Sequence, residues 1–205
     1  MLIDELMPVY DVSDGVATVV DADVATTWNA LLEVDLLEVG RRRPAVAVLG
    51  ALRILPDLMS ELLRHGRLSP RPDRMRLQDM TTIPLGNGGW VLLGRRDGAE
   101  IALGLVGRFW RPVIEFARVA SASEFRAFAE PGFAKTIYAL SVQPIGPRHT
   151  LLSGVMRTAT TDHHARRWFR RYWTFGVGAG AHVLVNGLLD VTREMAEAKA
   201  ARCVA

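Results

Sequence analysis

From Thr161 to Ala200 the chain reads TDHHARRWFRRYWTFGVGAGAHVLVNGLLDVTREMAEAKA. Thr161 and Asp162 are helix-capping residue types, and a helical pattern follows them as far as Ala200. One unbroken helix over that span would measure about 58 Å. A domain of 205 residues is only about 43 Å across. The helix therefore has to bend or break, and Gly176, Gly178 and Gly180 mark the place where relief is needed.

Upstream of this segment lies a run of short strands. Turn residues separate Met75 to Ile83, Trp90 to Arg96, Glu100 to Phe109 and Phe133 to Ser141, and a last strand spans His149 to Thr160. Gly86, Asn87, Gly88 and Gly89 form one turn, and Asp97-Gly98 is a two-residue hairpin signal. The stretch from Pro112 to Ala129 fits strand, helix or both.

Nearer the N-terminus, Val16, Thr18 and Val20 alternate with Ala17 and Val19, which makes Val9 to Asp21 the first strand. Asp21 or Asp23 caps a helix through TTWNALLEVDL. Beyond Arg41 to Pro44, residues Val48, Leu52, Leu55, Met59 and Leu62 form an apolar stripe, which Pro56 is expected to split into two short helices. His65 and Gly66 end this region, and Arg67 to Arg74, with Pro70 and Pro72, reads as a loop.

One strand, then helices, then antiparallel strands, then a long final helix is an α+β order in which the helices cover one face of a sheet. At 205 residues, 49% hydrophobic and 23% charged, the chain fits a single globular domain over 1–205. A net charge of +3 is too small to argue for nucleic acid. The lone Cys203 excludes an internal disulfide and points to a reducing, cytoplasmic setting. The first twenty residues have no basic region of the signal-peptide kind, and no apolar stretch reaches the roughly 18 clean residues of a membrane span.

Several phrases join this order of elements: ADVATTWNALLEVDL (22–36), GLVGRFWRP (104–112), EFRAFAEPGFAKTIYAL (124–140) and MRTATTDHHARRWFRRYW (156–173). As a set they resemble the START-like, or SRPBCC, superfamily, and within it an actinobacterial-type subgroup of unassigned function. The resemblance implies a helix-grip fold, a curved antiparallel sheet wrapped around a long C-terminal helix. It also implies an internal site for an apolar small molecule. Members of the superfamily bind lipids, polyketides or hormones, and a minority catalyse cyclisation, dehydration or hydrolysis; the fold transfers no reaction.

If Arg108 and Lys135 face solvent, alternation turns Leu103, Leu105 and Phe109 inward on one strand, and Thr136, Tyr138 and Leu140 inward on another. Trp90 shares a face with Leu92 and Arg96. Trp110, Phe169, Tyr172 and Trp173 add aromatic bulk where the last helix begins. Trp90, Leu103, Leu105, Phe109, Trp110, Tyr138, Leu140, Arg157, Trp173 and His182 are thus the candidate pocket residues. Close-packed core satisfies the same pattern.

Each sharper chemical reading has a plainer rival. The glycines at 176, 178 and 180 lack the preceding parallel strand of a phosphate loop. His163 and His164 would point about 100° apart on a helix, so they mark an exposed helix start rather than a metal site. His182 in the apolar AGAHVLVNGLL needs a partner if buried. Arg157 and Glu115 form either a salt bridge or a fork for a ligand carboxylate. The runs Arg41 to Arg43 and Arg166, Arg167, Arg170, Arg171 read as solvated helix faces.

Neither GxSxG nor a Cys/His pair occurs, and nothing calls for a cofactor or a metal. The expected function is binding or carriage of a hydrophobic or amphipathic small molecule. An alternative is a polyketide cyclase- or dehydratase-like enzyme using Tyr138, Arg157 or His182. A third is a module whose arginine clusters meet a partner. The sequence leaves homodimer formation open.

Overall fold

A computed structural model describes residues 1–67, 73–85 and 88–204. The centre of the Arg67 to Arg74 loop and the Gly86-Asn87 turn lie outside the described residues. The chain begins with one helical turn, α1 (Leu2–Leu6), which the sequence pattern does not announce. It is followed by β1 (Val12–Val20), whose residues alternate between partly buried and exposed as far as Val20. Asp23 then caps α2 (Val24–Glu33), its carboxylate accepting from the Thr26 backbone N–H at 2.9 Å.

The helix expected to run on through Asp35 ends instead at Glu33, because Asp35 caps a new one. Its carboxylate accepts from Leu37 N at 3.0 Å and opens α3 (Leu36–Arg42). Next comes α4 (Pro44–His65), which Pro56 does not split as expected. Pro56 lacks the N–H that would bond the Leu52 carbonyl, yet the helix runs past it to His65.

A second correction concerns Met75 to Ile83, expected as a strand. The structure has a 3-10 helix at Leu77–Thr82, whose three-residue period places Leu77 and Met80 together in the core. Two short strands, β2 (Pro84–Leu85) and β3 (Gly88–Gly89), pair with each other. The main sheet then forms from β4 (Val91–Arg96), β5 (Glu100–Arg108), β6 (Glu115–Phe116), β7 (Ala134–Gly146) and β8 (His149–Thr160) with β1. Its order is β1-β8-β7-β5-β4, with β6 also on β5, and every pairing is antiparallel. Arg96 pairs with Glu100, so the hairpin loop holds Asp97, Gly98 and Ala99 rather than two residues. The undecided 112–129 stretch contains β6 and a short helix, α5 (Ala122–Ala127).

Asp162 caps α6 (His163–Tyr172) by accepting from Ala165 N at 2.8 Å. A π turn at Trp173–Val177 leads into α7 (Gly178–Val204). The segments on either side of the turn are bent by 65°, the relief that the glycines announce. No single described helix is long and apolar enough to cross a membrane; the bent pair meets that test jointly, by length and composition alone. The result is α+β, a curved antiparallel sheet gripping a long C-terminal helix.

Both faces of the sheet are covered, contrary to the expectation of helices on one face. On one side Ile101, Leu103, Leu140 and Leu152 meet Leu31 of α2 and Val185, Leu188 and Leu189 of α7. On the other, Val91, Leu93, Ile137 and Ala139 meet Leu2 and Ile3 of α1 and Phe125 of α5. This explains why β5 carries no polar side chain from Ile101 to Gly107. Arg108 and Lys135 do face away from α7, as expected, but not into open solvent. Arg108 lies over the Phe133 ring at 4.3 Å and donates to the Gly132 carbonyl at 3.1 Å. Lys135 donates to the Arg126 carbonyl, and burial lowers its pKa.

Candidate functional site

Tyr138 sits midway along β7, opposite Leu103 of β5 and Met156 of β8. Alternation aims it toward α7, where three adjoining hollows all include it in their walls. The first, about 200 Å³, lies under α3 and the 3-10 helix and is walled by Leu36, Val39, Leu77, Met80, Leu103 and Leu140 among others. A second, about 290 Å³, lies under α6 and the π turn, with Leu105, Phe109, Met156, Phe169, Tyr172 and Trp173. The third, about 470 Å³, opens outward between α4 and α7, past Leu49, Leu52, Phe175, Gly180 and Leu184.

The bend creates this space. After α6 the chain turns through 65°, and the stretch that faces the hollow is made of small side chains around Gly180 and Ala181. Trp173 folds back onto Gly178, where any Cβ would come within 2.8 Å of its indole. Further along, α7 touches the sheet directly: a Cβ on Gly154 would meet Val185 at 2.7 Å. The helix thus rests on the sheet at Gly154 and stands off from it near Tyr138.

Among the described residues, no charged side chain lines any of the three hollows. Thr136 and Thr158 both face the second, but their hydroxyls bond each other at 2.9 Å. Among the described residues, no protein group hydrogen-bonds the Tyr138 hydroxyl. Its ring meets Trp90 edge-on at 5.5 Å. Burial above all, with the charges of Tyr172 and Asp14 adding to it, pushes the phenol up to about 12, so the group stays neutral and able to donate.

Seven candidate residues line these hollows: Trp90, Leu103, Leu105, Phe109, Tyr138, Leu140 and Trp173. Three do not. Trp110 packs on the Phe169 ring at 6.5 Å, outside the hollow walls. Arg157 lies on the opposite face of the sheet, because β8 alternation turns it away from Met156 and Thr158. It donates to the Ile3 and Met7 carbonyls and to Asp4 at 2.7 Å, and lies over the Tyr10 ring at 4.5 Å, clamping the N-terminal segment. Glu115 is not its partner but pairs with Arg108 and Arg111.

His182 is partly exposed, and its Nδ1 lies 3.0 Å from the Asp14 carboxylate. Tyr138, Arg157 and His182 therefore do not share one wall, and the acid-base arrangement that an enzyme of this kind would need from them is not formed. His163 and His164 are both exposed, and His164 Nε2 accepts from the Trp168 indole at 3.1 Å. Among the described residues, no three His, Cys, Asp or Glu side chains are grouped to hold a metal.

Sequence reasoning missed several wall residues. Leu77 and Met80 were hidden by reading their segment as a strand, although their i, i+3 spacing was visible. Leu36 and Val39 have the same spacing just after a capping Asp. Asp14 shares its face of β1 with Val16, an acid at an inward position.

No family model matches the chain, and no curated protein matches it. Solved structures do. A conserved protein from Geobacillus kaustophilus matches 90% of this chain with 93% of its own, at 12% identity and a TM-score of 0.38. A hypothetical protein from Helicobacter pylori covers 92% of this chain and 93% of its own, at 8% identity and 0.39. CalU16 from Micromonospora echinospora covers 94% and 88%, at 13% identity and 0.28. With superpositions this loose, the architecture stands on the chain's own strands and helices.

Proposed function

We propose that the chain binds a neutral, largely apolar small molecule between the sheet and α7, with the Tyr138 hydroxyl as its polar anchor. The observation that carries this reading is the set of adjoining hollows that share Tyr138 and have, among the described residues, no charged side chain in their walls. A hydroxyl on an otherwise apolar wall can bond a ligand carbonyl or hydroxyl and so fix the ligand's orientation. An ionised ligand would lose its hydration with no counter-charge to replace it. The order of elements, which resembles that of the START-like superfamily, supports a ligand held in this place.

Native mass spectrometry of the purified chain tests the proposal. The expected result is a co-purified neutral molecule, or saturable uptake of an apolar dye such as Nile red. Tyr138→Phe should weaken uptake of a hydroxyl- or carbonyl-bearing ligand on the order of tenfold, the value of one hydrogen bond in an apolar setting. A chain that carries nothing and takes up no apolar probe overturns it.

A further inference from the structure

The apolar stripe of α4 faces outward. Val48, Leu52, Leu55, Met59 and Leu62 are each between 45% and 63% exposed. Beside them stands Phe175, at the π turn and 86% exposed. Leu52 and Phe175 rim the same outward-opening recess, so the stripe and the turn form one surface around the mouth of the hollow. An apolar surface of this extent marks a contact with something else.

Its charges say what. The chain has no acidic residue between Asp162 and Asp190, but four arginines, Arg166, Arg167, Arg170 and Arg171. On α4 the segment from Pro44 to Pro56 has no acid; Asp57 and Glu61 are the first. Arg166 is engaged by Asp11 at 2.6 Å, whereas Arg167, Arg170 and Arg171 are exposed. Arg171, four residues before Phe175 in the sequence, lies over the half-exposed Trp168 at 5.6 Å. Aromatic and arginine side chains beside an exposed amphipathic helix are the composition of an interfacial membrane contact. A symmetric pair of chains meeting on this surface would instead bring two arginine clusters together.

We infer that the face around the mouth of the hollow docks on an anionic lipid bilayer. The α4 stripe and Phe175 enter the interfacial layer, while the α6 arginines meet the headgroups. This goes beyond ligand binding and does not depend on it.

The test is flotation of the full chain with vesicles of phosphatidylcholine, alone or mixed with phosphatidylglycerol. Binding is expected to the mixed vesicles and to fall as salt rises. Arg170→Ala with Arg171→Ala should weaken it on the order of 25-fold, about fivefold per arginine. Leu55→Glu with Met59→Glu, which change no wall residue, should weaken it at least about tenfold. Circular dichroism should be unchanged in both, and both should still take up Nile red if the wild type does. The inference is overturned if the wild type floats with neither vesicle or if neither double variant changes flotation. It is equally overturned if light scattering shows a dimer that Leu55→Glu with Met59→Glu dissociates while vesicles bind nothing.

Discussion

The two faces of the sheet are built from the same strands and are not packed alike. On the face toward α1 and α5, Ile3, Phe125, Ile137 and Ala139 are each at most 1% exposed. Facing α7, packing of that kind holds around Gly154, where α7 lies on the sheet, and under α2, where Leu31 and Leu152 are fully buried; near Tyr138 the layers separate into hollows. Two short elements close one face because each can settle freely onto it. The long C-terminal segment cannot: its direction is set by the bend at Trp173–Val177, so contact at one end leaves a gap at the other.

Truncation tests this difference most severely. Phe125→Ala empties a filled site, and chemical denaturation should show a loss of about 3–5 kcal/mol. Leu105→Ala, which enlarges a space already present, should cost about 2 kcal/mol or less, and should change ligand uptake where Phe125→Ala does not. Equal losses would mean that the hollow is closed in solution.

Enlarging a side chain asks the reverse question, at a smaller scale. Ala139→Leu on the closed face should cost about 1–3 kcal/mol by overpacking. Ala181→Leu grows into the hollow and should lie within about 0.5 kcal/mol of wild type while blocking uptake of a dye or ligand. Thermal melting of both variants distinguishes the faces.

The smallest effect concerns Tyr138 and appears only in alkali. Its folded pKa of about 12 stands above the ordinary 10.0, so the folded state holds the proton more tightly than the unfolded one. The associated stability is complete below pH 10 and is lost as pH rises toward 12. By about pH 11 the loss should be on the order of 1 kcal/mol, and Tyr138→Phe should remove that share of the decline in stability. A variant that loses stability as steeply as wild type would place the phenol in contact with water.

Much of the sheet was readable because alternation acts between neighbours. The His149–Thr160 strand is a local pattern, and the structure has it as read; of Asp21 or Asp23 the cap is Asp23, and of Thr161 and Asp162 it is Asp162. Where a segment obeyed two periods at once, as at Met75 to Ile83, the sequence did not arbitrate. The burial of Leu77 and Met80 in the core beside α2 decided for the 3-10 helix. Parity placed Leu103, Tyr138 and Leu140 correctly as a group. Arg157 and His182 were nominated without regard to it, and their partners, Asp4 and Asp14, are more than 150 residues away in the chain.

The sequence by itself determined most strands of the main sheet, the cap that opens the last helical segment and the need for a bend in it, since each depends on residues a few positions apart. Only the tertiary structure decided that α1 and α5 cover the far face, that the α4 stripe looks outward, and that α7 stands clear of Tyr138. Those outcomes depend on how rigid elements meet, and a contact between distant surfaces leaves no period in the chain to be read.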